Sequence, residues 1–152
     1  SSEMVKDNFV KVEMKSIGEN VAVARMLLSS FLMQYDLRLD ELDEIKIALS
    51  EAVSNSIIHG YENEPEHTVV VTAEVKDGEL TLAVVDKGVG IKDIALAMEP
   101  AYSTGEEHMG LGFVFMQTFM DKLEVQSVPG CGTRVTMSKQ LSVADASSTQ
   151  AV

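Results

Sequence analysis

Two runs of alternating apolar residues, 69–75 and 80–85, meet at Asp77-Gly78. An Asp-Gly pair between strand-length runs admits two successive left-handed residues, the backbone of a tight antiparallel hairpin. The chain is thereby committed to an antiparallel sheet near its middle. A second hairpin is predicted around Pro129-Gly130-Cys131-Gly132, with strands over 123–128 and 133–137. A further strand is predicted over 9–15, where Val10, Val12 and Met14 alternate with Lys11, Glu13 and Lys15.

Helical periodicity fills the gaps. Gly18-Glu19-Asn20 opens a predicted helix over 21–34, with Ala24, Leu27, Leu28 and Phe31 on one face. Asp40 is the expected N-cap of a second helix that carries Leu42, Ile45, Leu49, Ala52 and Val53 inward and stops at Gly60. A third helix is predicted over 112–120. The order β-α-α-β-β-lid-α-β-β describes an α+β sandwich of two layers. Met26, Met33, Met116 and Met120 read as adaptable core, and Cys131 as a small filler between two glycines.

Charge narrows the function. The chain has 152 residues, 12 basic and 24 acidic, for a net charge of -12. Such a surface is unsuited to nucleic acid or to an anionic membrane. One cysteine excludes an internal disulfide and any CxxC metal site. No apolar run approaches the ~18–20 residues of a membrane span, and no basic-then-apolar leader opens the chain. The expectation is a cytoplasmic single domain over 7–141. Residues 1–6 are expected to be a disordered N-terminus or an expression remnant, and 142–152 a disordered tail.

Six of the 10 glycines form three GxG pairs, Gly88/Gly90, Gly110/Gly112 and Gly130/Gly132. One such pair is no more than a turn. Gly110-Leu111-Gly112 differs, because it is expected to open a helix, and a helix N-terminus without bulky side chains suits phosphate. Backbone would then supply the positive potential that an acidic chain lacks. Neither a GxxxxGK[ST] loop nor a GxGxxG dinucleotide fingerprint is present. Glu51, Asn55 and His59 form a stripe on the second helix, which suits a base beside a hard cation, or simply a solvated helix face. His59 taken alone reads as a helix-end cap or a packed histidine. Asp86, before Lys87-Gly88, is either an acceptor for an exocyclic amine or a turn-initiating residue.

Taken together, these pieces resemble the nucleotide site of the GHKL family of ATPases and kinases. Glu51-Ala52-Val53-Ser54-Asn55 resembles its N box and Asp86-Lys87-Gly88-Val89-Gly90 its G1 box. Gly110-Leu111-Gly112-Phe113 resembles the G2 box, and Gly130-Cys131-Gly132-Thr133 the last glycine box. The four occur in the family's order, and the resemblance covers residues 9–141. The run from Ser50 to Tyr61 and Phe119-Met120-Asp121 resemble the anti-sigma serine-kinase branch of that family, of the sporulation type.

The resemblance implies a Bergerat fold with a largely antiparallel mixed sheet. It implies that Asn55 holds Mg²⁺ against the ATP phosphates and that Glu51 is the general base, with ADP as product. Asp86 would bind the adenine amine with support from Thr133, and Gly88 and Gly90 would shape that end. Gly110, Leu111 and Gly112 would anchor the phosphates beside a lid over 99–109. The lid is shorter than the family pattern, and Gly105 and His108 stand where basic residues are expected. Thr104 or His108 would then meet the γ-phosphate, and Arg25 or Lys92 would supply a unit charge. Arg25 would also face protein partners. The implied partners are a sigma factor, an anti-anti-sigma (STAS-domain) protein phosphorylated on serine, and a second copy of the chain. The alternatives are an ATP-gated sigma-binding module with little catalysis, the kinase of the general stress response, and a histidine-kinase catalytic domain. The last would need a phosphoacceptor-histidine hairpin, which no segment here resembles.

Overall fold

The computed structural model describes residues 5–100 and 107–142. Thr104, Gly105, the side chain of His108 and all but Ser142 of the expected tail over 142–152 lie outside the described residues. The elements are β1 (Asn8–Lys15), α1 (Glu19–Leu32), α2 (Leu39–Asn55), a π-helical turn (Ser56–Gly60), β2 (Thr68–Lys76), β3 (Glu79–Asp86), α3 (Ile94–Ala97), α4 (Glu107–Phe119), β4 (Lys122–Val128) and β5 (Gly132–Gln140). The strands form one sheet in the order β1-β2-β3-β5-β4, antiparallel at every pairing.

The alternation in each strand decides which face is buried. Val69, Val71, Ala73 and Val75 of β2, with Leu80, Leu82 and Val84 of β3, are nearly sealed from solvent. Their neighbours Thr72, Glu74 and Thr81 point to the other face and stay at least partly exposed. Ala24, Leu28 and Phe31 of α1, Ile45, Leu49 and Val53 of α2, and Phe113 and Met116 of α4 close over the apolar face as the second layer. The central hairpin forms as its sequence requires: Asp77 and Gly78 have φ of 51° and 79°.

Five local readings are corrected. The N-cap of α2 is Arg38, in extended conformation, and not Asp40. Asp40 lies inside the first turn, where its carboxylate accepts from the N–H of Glu41 and pairs with Arg38. The helix does not run as α-helix to His59, because a π-type turn begins at Ser56 and is closed by Tyr61 N–H on Ser56 O. Helix α4 is already helical at Glu107, so Gly110 and Gly112 lie within it and do not open it. Met116 and Met120 are core, but Met26 and Met33 are 70% and 82% exposed on the outer face of α1. Cys131 is also exposed, at the tip of the second hairpin, and fills no space.

Candidate functional site

A narrow cleft opens where α2, the π-turn, the end of β3 and α4 converge. Asn55, Ser56, His59 and Gly60 line it from the helical side, Asp86, Gly90, Ile91 and Thr133 from the sheet, and Met109 and Phe113 from α4. It shares His59, Gly90, Ile91 and Met109 with an outer groove to which Ile58, Val89, Lys92 and Leu96 contribute.

Asp86 forms the floor of one end. It is the last residue of β3 and only 4% exposed. Burial raises its carboxyl above the ordinary carboxylate range, while donation from Gly88 N–H, the Ser56 hydroxyl and Thr133 N–H pulls the other way. The Gly88 bond is 2.9 Å. Three donors around one buried carboxyl hold it as an acceptor with a fixed direction.

The backbone around it is packed to contact. A Cβ at Gly60 would sit 2.8 Å from the Asp86 carboxylate. A Cβ at Gly88 would run into the carbonyl of Gly60, and one at Gly132 into the carbonyl of Asp86. Gly90 and Gly132 also have φ of 75° and 112°, which side chains rarely adopt. Val89 N–H donates to Gly60 O at 2.9 Å and Gly130 N–H to Val89 O at 2.7 Å, tying the loop to both walls. Ser127 adds a third tie: its hydroxyl accepts from Ile91 N–H at 2.7 Å, donates to Gly132 O at 3.0 Å and meets Thr133 Oγ1 at 2.7 Å.

The other end is built from side chains. Glu51 and Asn55 lie one turn apart on α2, facing Gly112 of α4. A Cβ on Gly112 would stand 2.9 Å from Glu51 Oε2 and 3.4 Å from Asn55 Nδ2. A side chain at Gly112 would push the ends of Glu51 and Asn55 aside. Asn55 Nδ2 is buried and has no hydrogen-bond partner among the described residues. Such a group costs about 1–3 kcal/mol unless a ligand satisfies it. Gly110 packs against the carbonyl of Glu99, which brings the two ends of the lid together.

The structure thus gathers Asn55, Asp86, Gly90 and Thr133 in one cleft, with Glu51 and Gly112 at its α2–α4 edge. Gly88 lies behind the floor, and Leu111 is 47% exposed. Arg25 stands outside the cleft, exposed on α1, with Nη1 3.4 Å from the hydroxyl of Ser50. Ser56, Gly60, Ser127, Met109 and Phe113 take part without having been singled out by chemistry in the sequence. Their contribution is shape and hydrogen bonding, which no spacing of reactive residues announces.

The chain can be compared with known proteins on this geometry. A family model described as "Histidine kinase-like ATPase domain" matches residues 15–139. An anti-sigma F factor of Clostridium beijerinckii is 45% identical over 141 residues, covering 91% of this chain and 99% of the relative. An anti-sigma F factor of Oceanobacillus iheyensis is 48% identical over 137 residues, covering 89% and 94%. Among solved structures, the RsbU and RsbW domains of a Mycobacterium tuberculosis protein superpose with a TM-score of 0.64 at 19% identity. That match covers 88% of this chain and 32% of the longer one, and it supports the fold alone. No helix among the described residues is long and apolar enough to cross a membrane. The chain belongs to the anti-sigma F factor family, which is built on a histidine kinase-like ATPase domain of the GHKL superfamily.

Proposed function

We propose that the chain binds ATP in this cleft, sequesters a sigma factor in a nucleotide-dependent complex, and phosphorylates a serine of the anti-anti-sigma (STAS-domain) protein that would displace it. The observation that carries this reading is the pairing of the two ends. A buried acceptor, Asp86, bonded by the N–H of Gly88, and the amide of Asn55 line one apolar cleft, with Glu51 one turn from Asn55.

Each residue has a task that its surroundings permit. Asp86 takes the exocyclic amine of adenine, while Ile91, Met109, Phe113 and Val135 offer apolar surface to the ring. Asn55 Nδ2 is a buried donor without a partner among the described residues, as expected of a group reserved for a phosphate oxygen. Mg²⁺ held by the Asn55 oxygen would neutralise phosphate charge. Glu51, half-buried one turn from Asn55, takes the proton of the attacking serine hydroxyl. Phosphoryl transfer needs mainly positioning and charge stabilisation, so a short list of groups suffices. Arg25, exposed beside Ser50 at the rim, is placed to read a protein partner. A homodimer presenting two such rims is part of the proposal.

A phosphotransfer assay tests it. The chain is mixed with Mg-ATP and the STAS-domain antagonist, and the antagonist's mass is read. One added phosphate, absent with Glu51→Gln, is expected. Bound ATP without any phosphate transfer would leave an ATP-gated sequestering module and refute the kinase.

A further inference from the structure

Asp86 must leave the sheet in a set direction to face the cleft, and one phenol stands where that direction is decided. Strands β2 and β3 pair up to Val70 opposite Val85. Continuing that register would bring Thr68 opposite Lys87. Instead the Tyr61 hydroxyl occupies the gap, accepting from Lys87 N–H at 2.7 Å and donating to Thr68 O at 2.6 Å. On its other side β3 stays paired, with Asp86 opposite Thr133. The strand end is therefore released from β2 but held by β5.

Tyr61 is itself immobilised. It is 5% exposed, and its ring stacks on His67 with centroids 4.6 Å apart and planes at 15°. Its own N–H closes the π-turn on Ser56 O, and Ser56 is one of the donors to Asp86. The preceding Gly60 packs against the Asp86 carboxylate and accepts from Val89 N–H. Residues 60 and 61 thus grip the segment 86–89 from the helical side at three points.

We propose that Tyr61 is a positioning residue for nucleobase recognition: its hydroxyl, wedged between Thr68 and Lys87, aims the Asp86 carboxylate and so sets the preference for a purine carrying a 6-amino group. This rests on the reading of Asp86 as the base acceptor. Tyr61 touches no ligand and acts through the backbone of Lys87.

The test compares ATP with purine riboside triphosphate, which lacks the amine, in wild type and Tyr61→Phe. Wild type is expected to bind ATP more tightly than the analogue. Tyr61→Phe removes one oxygen, and ATP affinity is expected to fall about tenfold, the scale of one to two net hydrogen bonds. Analogue affinity is expected to change less than about twofold, and the rate of phosphotransfer at saturating ATP to hold. A Tyr61→Phe protein that loses both affinities equally, or keeps the wild-type ratio, overturns the proposal and leaves Asp86 as the acceptor. A wild type that does not discriminate overturns the reading of Asp86 itself, and the proposal with it. Amide hydrogen exchange supplies a reading that needs no variant. In the intact chain ATP is expected to slow exchange at Lys87 more than the analogue does, and equal slowing overturns the proposal.

Discussion

The two ends of the cleft are made differently. At the Asp86 end, contact is between backbones: Gly88 against Gly60, Gly132 against Asp86, Gly90 against Val128, with positive φ at two of the three glycines. At the Glu51 end, contact is between side chains: Gly112 makes room for Glu51 and Asn55, and one amide nitrogen lacks a partner. A site made of backbone is as rigid as the fold. A site made of side chains beside a lid can rearrange when charge arrives. The difference suits the proposed ligand, whose base is constant while its phosphates are the part consumed.

Substitutions can break this contrast. The largest effect is expected from Gly132→Val, which puts a side chain at φ 112° and into the carbonyl of Asp86. Strain and overpacking together are expected to cost roughly 3 kcal/mol or more, read as a lowered midpoint in denaturant unfolding. A Gly132→Val protein of wild-type stability would show the base end to be adaptable after all. Glu51→Gln comes next: the fold and ATP affinity should persist while the transfer rate falls about 10²- to 10⁴-fold. Unchanged transfer would remove Glu51 as the base.

Asp86→Asn separates function from stability. ATP affinity should drop by about tenfold to a hundredfold, since an amide presents its acceptor less strongly than a carboxylate. Thermal stability at neutral pH should hold or rise. Burial raises the folded-state pKa of Asp86 above the ordinary carboxylate value, so the ionised form weighs against the fold. Its contribution to stability is therefore complete below the unfolded-state pKa and is lost as pH climbs through the raised folded value. Wild type should accordingly gain on Asp86→Asn as pH falls through that window, in paired melts. An opposite slope would mean that the three donors outweigh burial. Gly112→Ala should be milder, because its Cβ would meet only the ends of two side chains. About a tenfold loss of transfer with little change in stability is expected, and a collapse of the fold would place backbone rigidity at this end too. Cys131→Ser, exposed at the hairpin tip, should alter affinity and stability by less than about 0.5 kcal/mol.

Asp86, Asn55 and Glu51 each read equally as a turn residue or part of a solvated helix face, and only the order of the four boxes set them together; the structure brings Asn55 and Asp86 into one cleft. Gly60 and Tyr61 do not stand out, since a glycine after a helix ordinarily just ends it. Only the neighbouring strand shows that this glycine faces a carboxylate and that the next residue spans a break in the ladder. Met26 and Met33 show the converse error, because an apolar residue on an amphipathic helix carries no mark of which flank stays in water.

By itself the sequence determined the hairpin at Asp77-Gly78, the strand alternation and the inward helix faces, because these follow from local φ/ψ preference and from hydrophobic period. It also determined the acidic surface, and with it the need for a site that does not depend on a lysine patch. Tertiary structure alone decided that Gly110 and Gly112 lie within α4, that α2 widens into a π-turn at Ser56, and that Tyr61 separates β2 from β3. The reason is close packing. Local propensity disfavours Gly110 and Gly112 inside a helix by roughly 1 kcal/mol each. The Glu99 carbonyl leaves no room for a side chain at Gly110, and one at Gly112 would displace the ends of Glu51 and Asn55.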